Sequence, residues 1–208
     1  MDIASQISRT DYDLDYFVRL ALTDEAGRVE IIKQMLHNEN IMVYYHCYEV
    51  ISHASAEQPS LFYEYWADIL PLLNHRNSYH RDIALTILAN LTAVDTKNRF
   101  ESIFADYFSH THDEKFMTAC CCVDNSKKIV RNKPHLKNQI TELLLQKDGF
   151  SCYSTKQAAL MMSYVLDLLE QAYPGEIEDP TVRAFILREQ KSNSPKTRQK
   201  AKELSKKI

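Results

Sequence analysis

Three adjacent cysteines, Cys120-Cys121-Cys122, are the side chains in this sequence best suited to chemistry, and His110 and His112 lie a few positions upstream. Thiolate and imidazole together are the donor set of a zinc or redox site. Helix geometry argues against that use. Successive side chains on a helix diverge by about 100°, so three consecutive thiols cannot converge on one ion. Nor does the chain hold a CxxC pair matched by a second pair at finger spacing. Cysteine inside an apolar helical pattern behaves as a small buried hydrophobe, and packing is the role expected of all three. His37, His75, His80, His110 and His112 fall in or beside polar stretches between apolar runs. They would make a pH-responsive or metal-binding edge if carboxylates stood behind them; no such partner is evident, and ordinary turn polarity is the simpler account. Asp11, Asp13 and Asp15 alternate in a polar segment where solvation explains them. There is no GxSxG, no phosphate loop, no HExxH and no dinucleotide fingerprint.

Composition narrows the classes further. The chain has 208 residues, 45% hydrophobic and 25% charged, which is an ordinary folded composition. With only 3 Gly and 6 Pro it favours long helices joined by short polar connections over tight turns and phosphate-cradling loops. A formal charge of −3 argues against whole-surface attraction to nucleic acid. The acidic start lacks the basic and apolar regions of a secretory signal, and no apolar run reaches the roughly 18 residues of a membrane span. Cys47, Cys120, Cys121, Cys122 and Cys152 are odd in number, so free thiols in a reducing cytoplasm are expected.

The elements that would hold these residues are helices. Tyr12, Leu14, Phe17, Val18, Ala21 and Leu22 mark a first one, ending near Thr23, which is placed to cap the next; Asp24 and Glu25 suit its anionic first turn. Val29, Ile31, Ile32, Met35 and Leu36 form the second face. After the polar turn 37–40, a partner helix runs to about Ser55 and Pro59 breaks the pattern. Residues 61–73 and 78–94 read as a central pair. Asp95-Thr96 would cap a helix bearing Phe100, Ile103, Phe104, Tyr107 and Phe108. Thr111 and Glu114 have capping-box spacing ahead of a helix reaching Val130. Pro134 suits the first turn of another, continued by Leu136, Ile140, Leu143 and Leu144. A longer connection, 148–153, carries Gly149. Ser154 and Gln157 again have capping-box spacing, and 174–179 is the clearest break. Asp179-Pro180 and Ser194-Pro195 open two final helices.

The pattern repeats. In the second helix of each pair, Cys47, Ala84, Ala119, Ala158 and Ala201 fall in register roughly 35 to 43 residues apart. Larger apolar residues follow three or four positions later: Val50 and Ile51, Ile87 and Leu88, Cys122 and Val123, Met161 and Met162, and Leu204. Small residues allow helix backbones to approach, and the larger ones fill the groove between repeats. One such hairpin cannot bury its apolar face alone, so stacking is expected.

Leu70-Pro71-Leu72-Leu73, a polar turn, and then Arg81, Ala84, Leu88, Ala89 and Leu91 resemble the HEAT-repeat pattern. The run 194–208 resembles a terminal HEAT helix, with Arg198 where that family usually places arginine. The other three units carry Tyr44, Phe116 and Thr155 at that position. The resemblance implies an all-α fold, a right-handed α-α superhelix (solenoid) of about five HEAT-like hairpins. Residues 1–208 would form one domain, with an N-terminal capping-helix region (1–23), central repeats (24–175) and a C-terminal capping repeat (176–208).

In such arrays the inward positions of the second helices line a concave binding face. The register assigns Tyr45, His46, Glu49 and His53 to it, beside Asp82, Thr86 and Asn90, and farther along Thr118, Cys121, Asn125 and Lys128. Tyrosine is abundant, 12 residues, with Tyr44, Tyr45 and Tyr48 on one helix and Tyr63, Tyr65 and Trp66 on the next. Aromatics mixed with polar groups suit protein or peptide recognition. Lys191, Lys196, Arg198, Lys200, Lys202, Lys206 and Lys207 make the end basic, as the uncovered outer face of a terminal repeat would be. Sequence alone thus points to a non-enzymatic cytoplasmic scaffold that binds an unidentified protein or peptide on its concave face, without a cofactor or metal and without a membrane. The alternative is a nucleic-acid-binding HEAT-like enzyme of the alkyl-base DNA glycosylase type. A prosthetic-group lyase or chaperone module, with Cys121 as its handle, is a third.

Overall fold

A computed structural model describes residues 2–146 and 150–208, and every regular element among the described residues is helical. Asp148 and Gly149, from the expected 148–153 connection, lie outside the described residues. The chain divides into two compact units, Met1–Phe100 and Glu101–Ile208. No helix of the described residues is long and apolar enough to cross a membrane.

The first unit contains α1 (Ile3–Ile7), α2 (Leu14–Thr23), α3 (Glu25–His37), α4 (Ile41–Glu57), α5 (Trp66–Ile69) and α6 (Ser78–Leu91). Short polar side chains start most of them. Asp2, Asp13, Asp24, Asn40 and Asn77 each accept a hydrogen bond from a backbone N–H of the following first turn. Helix α4 packs against α1, α2, α3 and α6. Its buried residues (Val43, Tyr44, Cys47, Val50, Ile51 and Ala54 among them) therefore exceed one narrow stripe. Helix α6 is buried continuously from Ile83 to Leu91. Each fully buried Leu, Ile or Val there contributes about 1.5–3 kcal/mol of transfer free energy.

A four-residue helix, α7 (Arg99–Ser102), carries the chain into the second unit. There follow α8 (Phe104–Ser109), α9 (Phe116–Asn132), α10 (Lys137–Leu145), α11 (Thr155–Ala172), α12 (Pro180–Glu189) and α13 (Pro195–Leu204). Helix α11 packs on α9 and on α13. The Thr197 hydroxyl donates to the Ala159 carbonyl at 2.6 Å, and Lys200 bridges Asp167 at 2.9 Å and Glu170 at 2.7 Å. The expected caps at Ser154, Asp179 and Ser194 all form, the first as a complete capping box with Gln157.

Several local expectations are corrected. Asp24 caps α3 instead of Thr23, whose hydroxyl donates back to Arg19 O. Residues 61–73 are not one helix: α5 is a single turn between short 3-10 segments. Pro71 lacks the N–H that would continue α5, and its ring crowds the carbonyl four residues earlier. The helix expected to begin after Asp95-Thr96 is broken at Ile103, which sits at φ −109°, ψ 5° between α7 and α8. Asp95 nonetheless caps as expected, accepting from the backbone N–H groups of Arg99 and Phe100. No capping box joins Thr111 and Glu114. The Thr111 hydroxyl turns back to Phe108 O, and Asp113 accepts from Lys115 N at 2.8 Å just ahead of α9.

Four of the five small residues in register, Cys47, Ala84, Ala119 and Ala201, have no exposed surface. Ala158 differs. It is half-buried and, with Ala159, Phe150, Met162 and Leu187, lines a cavity of about 950 Å³.

Two arginines close turns ahead of their own helices. Arg81 Nη1 donates to the carbonyls of His75 at 2.8 Å and Arg76 at 3.2 Å, and Arg198 Nη1 donates to Ser192 O at 2.7 Å. In both cases the guanidinium reaches the connection immediately before its own helix. Arg28 does the same for the end of α2, donating to Ala21 O at 2.9 Å. The Tyr44 hydroxyl accepts from Asn77 Nδ2 at 3.2 Å, and its ring stacks on His80.

Gly27 lies in a close approach of α2 to α3. A Cβ there would lie 2.7 Å from Leu20 Cγ and 2.8 Å from Asp24 Oδ2, whereas one at Gly175 would meet nothing within 4 Å. Gly27→Ala is therefore expected to lose about 1–3 kcal/mol in urea denaturation despite its better helix propensity. Gly175→Ala should leave stability unchanged or raise it by up to ~1 kcal/mol. Equal behaviour of the two variants would contradict the close approach.

Candidate functional site

Polar side chains tie α4 to α6. Asn77 reaches Tyr44, the hydroxyls of Tyr48 and Thr86 lie 3.0 Å apart, and Asn90 Nδ2 donates to Ser52 O at 3.0 Å and Ser55 Oγ at 2.9 Å. This seam consumes part of the predicted binding face. Thr86 and Asn90 are buried in it. His46 is buried as well, with Nδ1 donating to Ile7 O at 2.6 Å and its ring stacked 4.2 Å from Tyr12. In the second unit Thr118 has no exposed surface, and Asn125 is buried while donating to Cys121 O at 3.0 Å. These five support packing rather than surface recognition.

Of the remaining predicted residues, Cys121 and Lys128 are half-buried on α9 of the second unit. Burial lowers the Lys128 ammonium pKa, opposed by Cys121 and Asp124. Tyr45, Glu49, His53 and Asp82 belong to the first unit, and three of them come together. Tyr45 is 37% exposed, and its hydroxyl pKa is raised by burial first, then by Glu49, Tyr79 and Asp82. Its ring meets Tyr48 edge-on at 5.8 Å and Tyr79 edge-on at 5.9 Å. Glu49 is held from behind by the Tyr12 hydroxyl, which donates to Oε2 at 2.7 Å. His53 is exposed one turn farther along α4.

Two members of this surface were missed in the sequence. Tyr79 is 45% exposed and Ile41 46% exposed. Ile41 lies four residues before Tyr45, and Tyr79 three before Asp82, so helical spacing carried one turn toward each N-terminus would have found both. The result is an exposed aromatic and aliphatic surface on the first turns of α4 and α6, with the half-buried carboxylates Glu49 and Asp82 beside it and one Asp82 oxygen withdrawn from solvent. Edge-on aromatic packing fixes the rings in place before anything binds.

The candidate metal and redox groups are dispersed. Among the described residues no three His, Cys, Asp or Glu side chains are grouped to hold a metal ion. All five cysteines are free thiols. Cys122 is fully buried and donates to Tyr107 O, and Cys47 and Cys120 are buried too. Burial, then Glu30, pushes the Cys47 thiol up to about 12; burial, then Asp124, does the same for Cys120.

The histidines are mixed in character: His80 is buried with its pKa lowered by burial and by His75, whereas His37 and His112 are exposed. His110 does have the acid partner not evident in sequence, since its Nδ1 lies 2.9 Å from Asp113 Oδ2 in a buried pair. Asp13 caps α2, Asp11 pairs with Arg9, and Asp15 is exposed. Trp66 is buried in α5, at 4% exposure.

No family model matches the chain, and no curated protein or solved structure is significantly similar to it.

The thiol environments predict an ordered titration. At pH 8 a thiol reagent should modify exposed Cys152 rapidly and half-buried Cys121 slowly, and reach Cys47, Cys120 and Cys122 only after denaturation. Rapid reaction of more than two thiols in the folded protein would contradict the burial. Because Cys47 and Cys120 titrate higher folded than unfolded, their contribution to stability is complete below about pH 9. It is lost as the pH rises towards about 12.

Proposed function

We propose that the chain is a non-enzymatic, cytoplasmic interaction module of HEAT-like hairpins, holding a protein partner on the surface formed by Ile41, Tyr45, Tyr79, Glu49 and Asp82. One observation carries this reading: the two most exposed tyrosines of the first unit pack edge-on against each other beside an exposed isoleucine. Rigid aromatics at the centre of a patch lose little conformational entropy on binding and are enriched among residues that dominate interface energies. A HEAT-like repeat is supported inside each unit by second-helix stacking, α4 on α6 and α9 on α11 on α13. Five free thiols suit a reducing compartment.

The DNA glycosylase alternative draws less support. Trp66, the only tryptophan, is buried, and the exposed Tyr45 and Tyr79 rings stand beside the carboxylates Glu49 and Asp82, whose charge opposes a phosphate backbone.

Affinity capture from source lysate tests the proposal when wild type is compared with Tyr45→Ala/Tyr79→Ala and Glu49→Gln/Asp82→Asn, each checked for unchanged helicity. At least one protein retained by wild type should fall tenfold or more with the tyrosine variant, since truncating a central aromatic costs on the order of 1–2 kcal/mol or more. Identical retention by well-folded variants would sink this surface as the binding site.

A further inference from the structure

The chemistry around the exposed tyrosines narrows what can dock there, on the reading that this surface binds a partner. Residues 1–100 contain fourteen Asp and Glu against eight Lys and Arg, a formal charge of −6 for the first unit. Several of those cations are committed internally. Arg28 and Arg81 are buried against backbone carbonyls, Arg9 pairs with Asp11, and Arg99 lies 4.9 Å over the Tyr63 ring. After burial, the carboxylates Glu49 and Asp82 are among the groups that raise the Tyr45 hydroxyl pKa, and its ring packs edge-on against Tyr79 at 5.9 Å.

We propose that the Ile41–Tyr45–Tyr79 surface receives a basic segment of a partner protein, with an arginine side chain lying against the tyrosine rings between Glu49 and Asp82. A guanidinium fits this setting better than an ammonium. It is planar, stacks on an aromatic face, is weakly hydrated and presents N–H groups in its plane to carboxylates. Glu49 keeps the capacity to accept: the Tyr12 hydroxyl occupies one of about four lone-pair sites on an ionised carboxylate. Tyr12 also fixes the orientation of that carboxylate, so little is lost in ordering it when the cation arrives. Ile41, one turn before Tyr45, supplies an apolar contact for a residue beside the arginine. The negative charge of the unit steers a basic segment towards the patch and repels nucleic acid and anionic membranes.

Fluorescence anisotropy with the full chain decides it. The probes are four labelled nonapeptides of one apolar framework carrying a central pair of arginine, lysine, citrulline or glutamate residues. The arginine peptide should bind most tightly, the lysine peptide less, and the citrulline and glutamate peptides at least tenfold more weakly. Raising the salt from 50 to 300 mM should weaken the arginine peptide several-fold. Glu49→Gln/Asp82→Asn and Tyr45→Ala/Tyr79→Ala, confirmed folded by circular dichroism, should each lower its affinity tenfold or more.

Equal binding of the citrulline or glutamate peptide, no binding of the arginine peptide, or undiminished binding by either variant would overturn the proposal. Sedimentation equilibrium supplies a further arm: self-association lost in the same variants would show that another copy of the chain occupies the surface, overturning the partner assignment. Failure of the peptides, with lysate capture still dependent on Tyr45 and Tyr79, would remove the basic partner and leave the docking surface standing.

Discussion

The constraint on which this architecture depends is the set of carbonyls left unpaired where each helix ends. Glycine in the left-handed conformation is the usual remedy, and among the described residues no glycine adopts it. Long side chains do the work instead. Arg28 takes Ala21 O at the end of α2, Arg81 takes the carbonyls of the turn before α6, and Arg198 takes that before α13. His46 serves Ile7 O at the end of α1, and the Tyr153 hydroxyl donates to Asp113 O at 2.6 Å. A buried carbonyl deprived of its donor costs about 1–3 kcal/mol. Short connections can thus be buried under neighbouring helices without orphaning their backbone.

This arrangement has a bearing on the binding surface. The inward edge of α4 is spent on α6: Tyr44, Tyr48, Ser52 and Ser55 meet Asn77, Thr86 and Asn90. Polar contacts at successive turns fix the register of the two helices more sharply than apolar packing alone, because a slipped register strands buried donors. The first turns of both helices are thereby held rigidly side by side, with Tyr45 and Tyr79 outside the seam. The surface is built before it is used.

Much of the fold was legible because its signals are local. Capping residues announced the starts at Ser154, Asp179 and Ser194, and the small residues Cys47, Ala84, Ala119 and Ala201 marked buried positions. What failed depended on competition between neighbours. Thr111 is held in a short 3-10 turn ahead of the helix with its hydroxyl donating to Phe108 O, and Pro71 ended a helix whose apolar pattern ran on regardless. The site was half legible. Helical register placed Tyr45, Glu49 and Asp82 on one side, but could not distinguish a residue facing solvent from one facing another polar side chain. His46, Thr86, Asn90, Thr118 and Asn125 look like surface by type and are buried. Tyr79 and Ile41 were passed over because they lie one turn ahead of the small and apolar residues from which the register was read.

Trp66 gives the molecule an optical consequence. It is the sole indole, it is shielded from water, and it belongs to the first unit, so blue-shifted emission reports on residues 1–100 alone. Backbone ellipticity sums both units. Comparing the two signals during melting separates independent halves from one cooperative whole without any label being introduced.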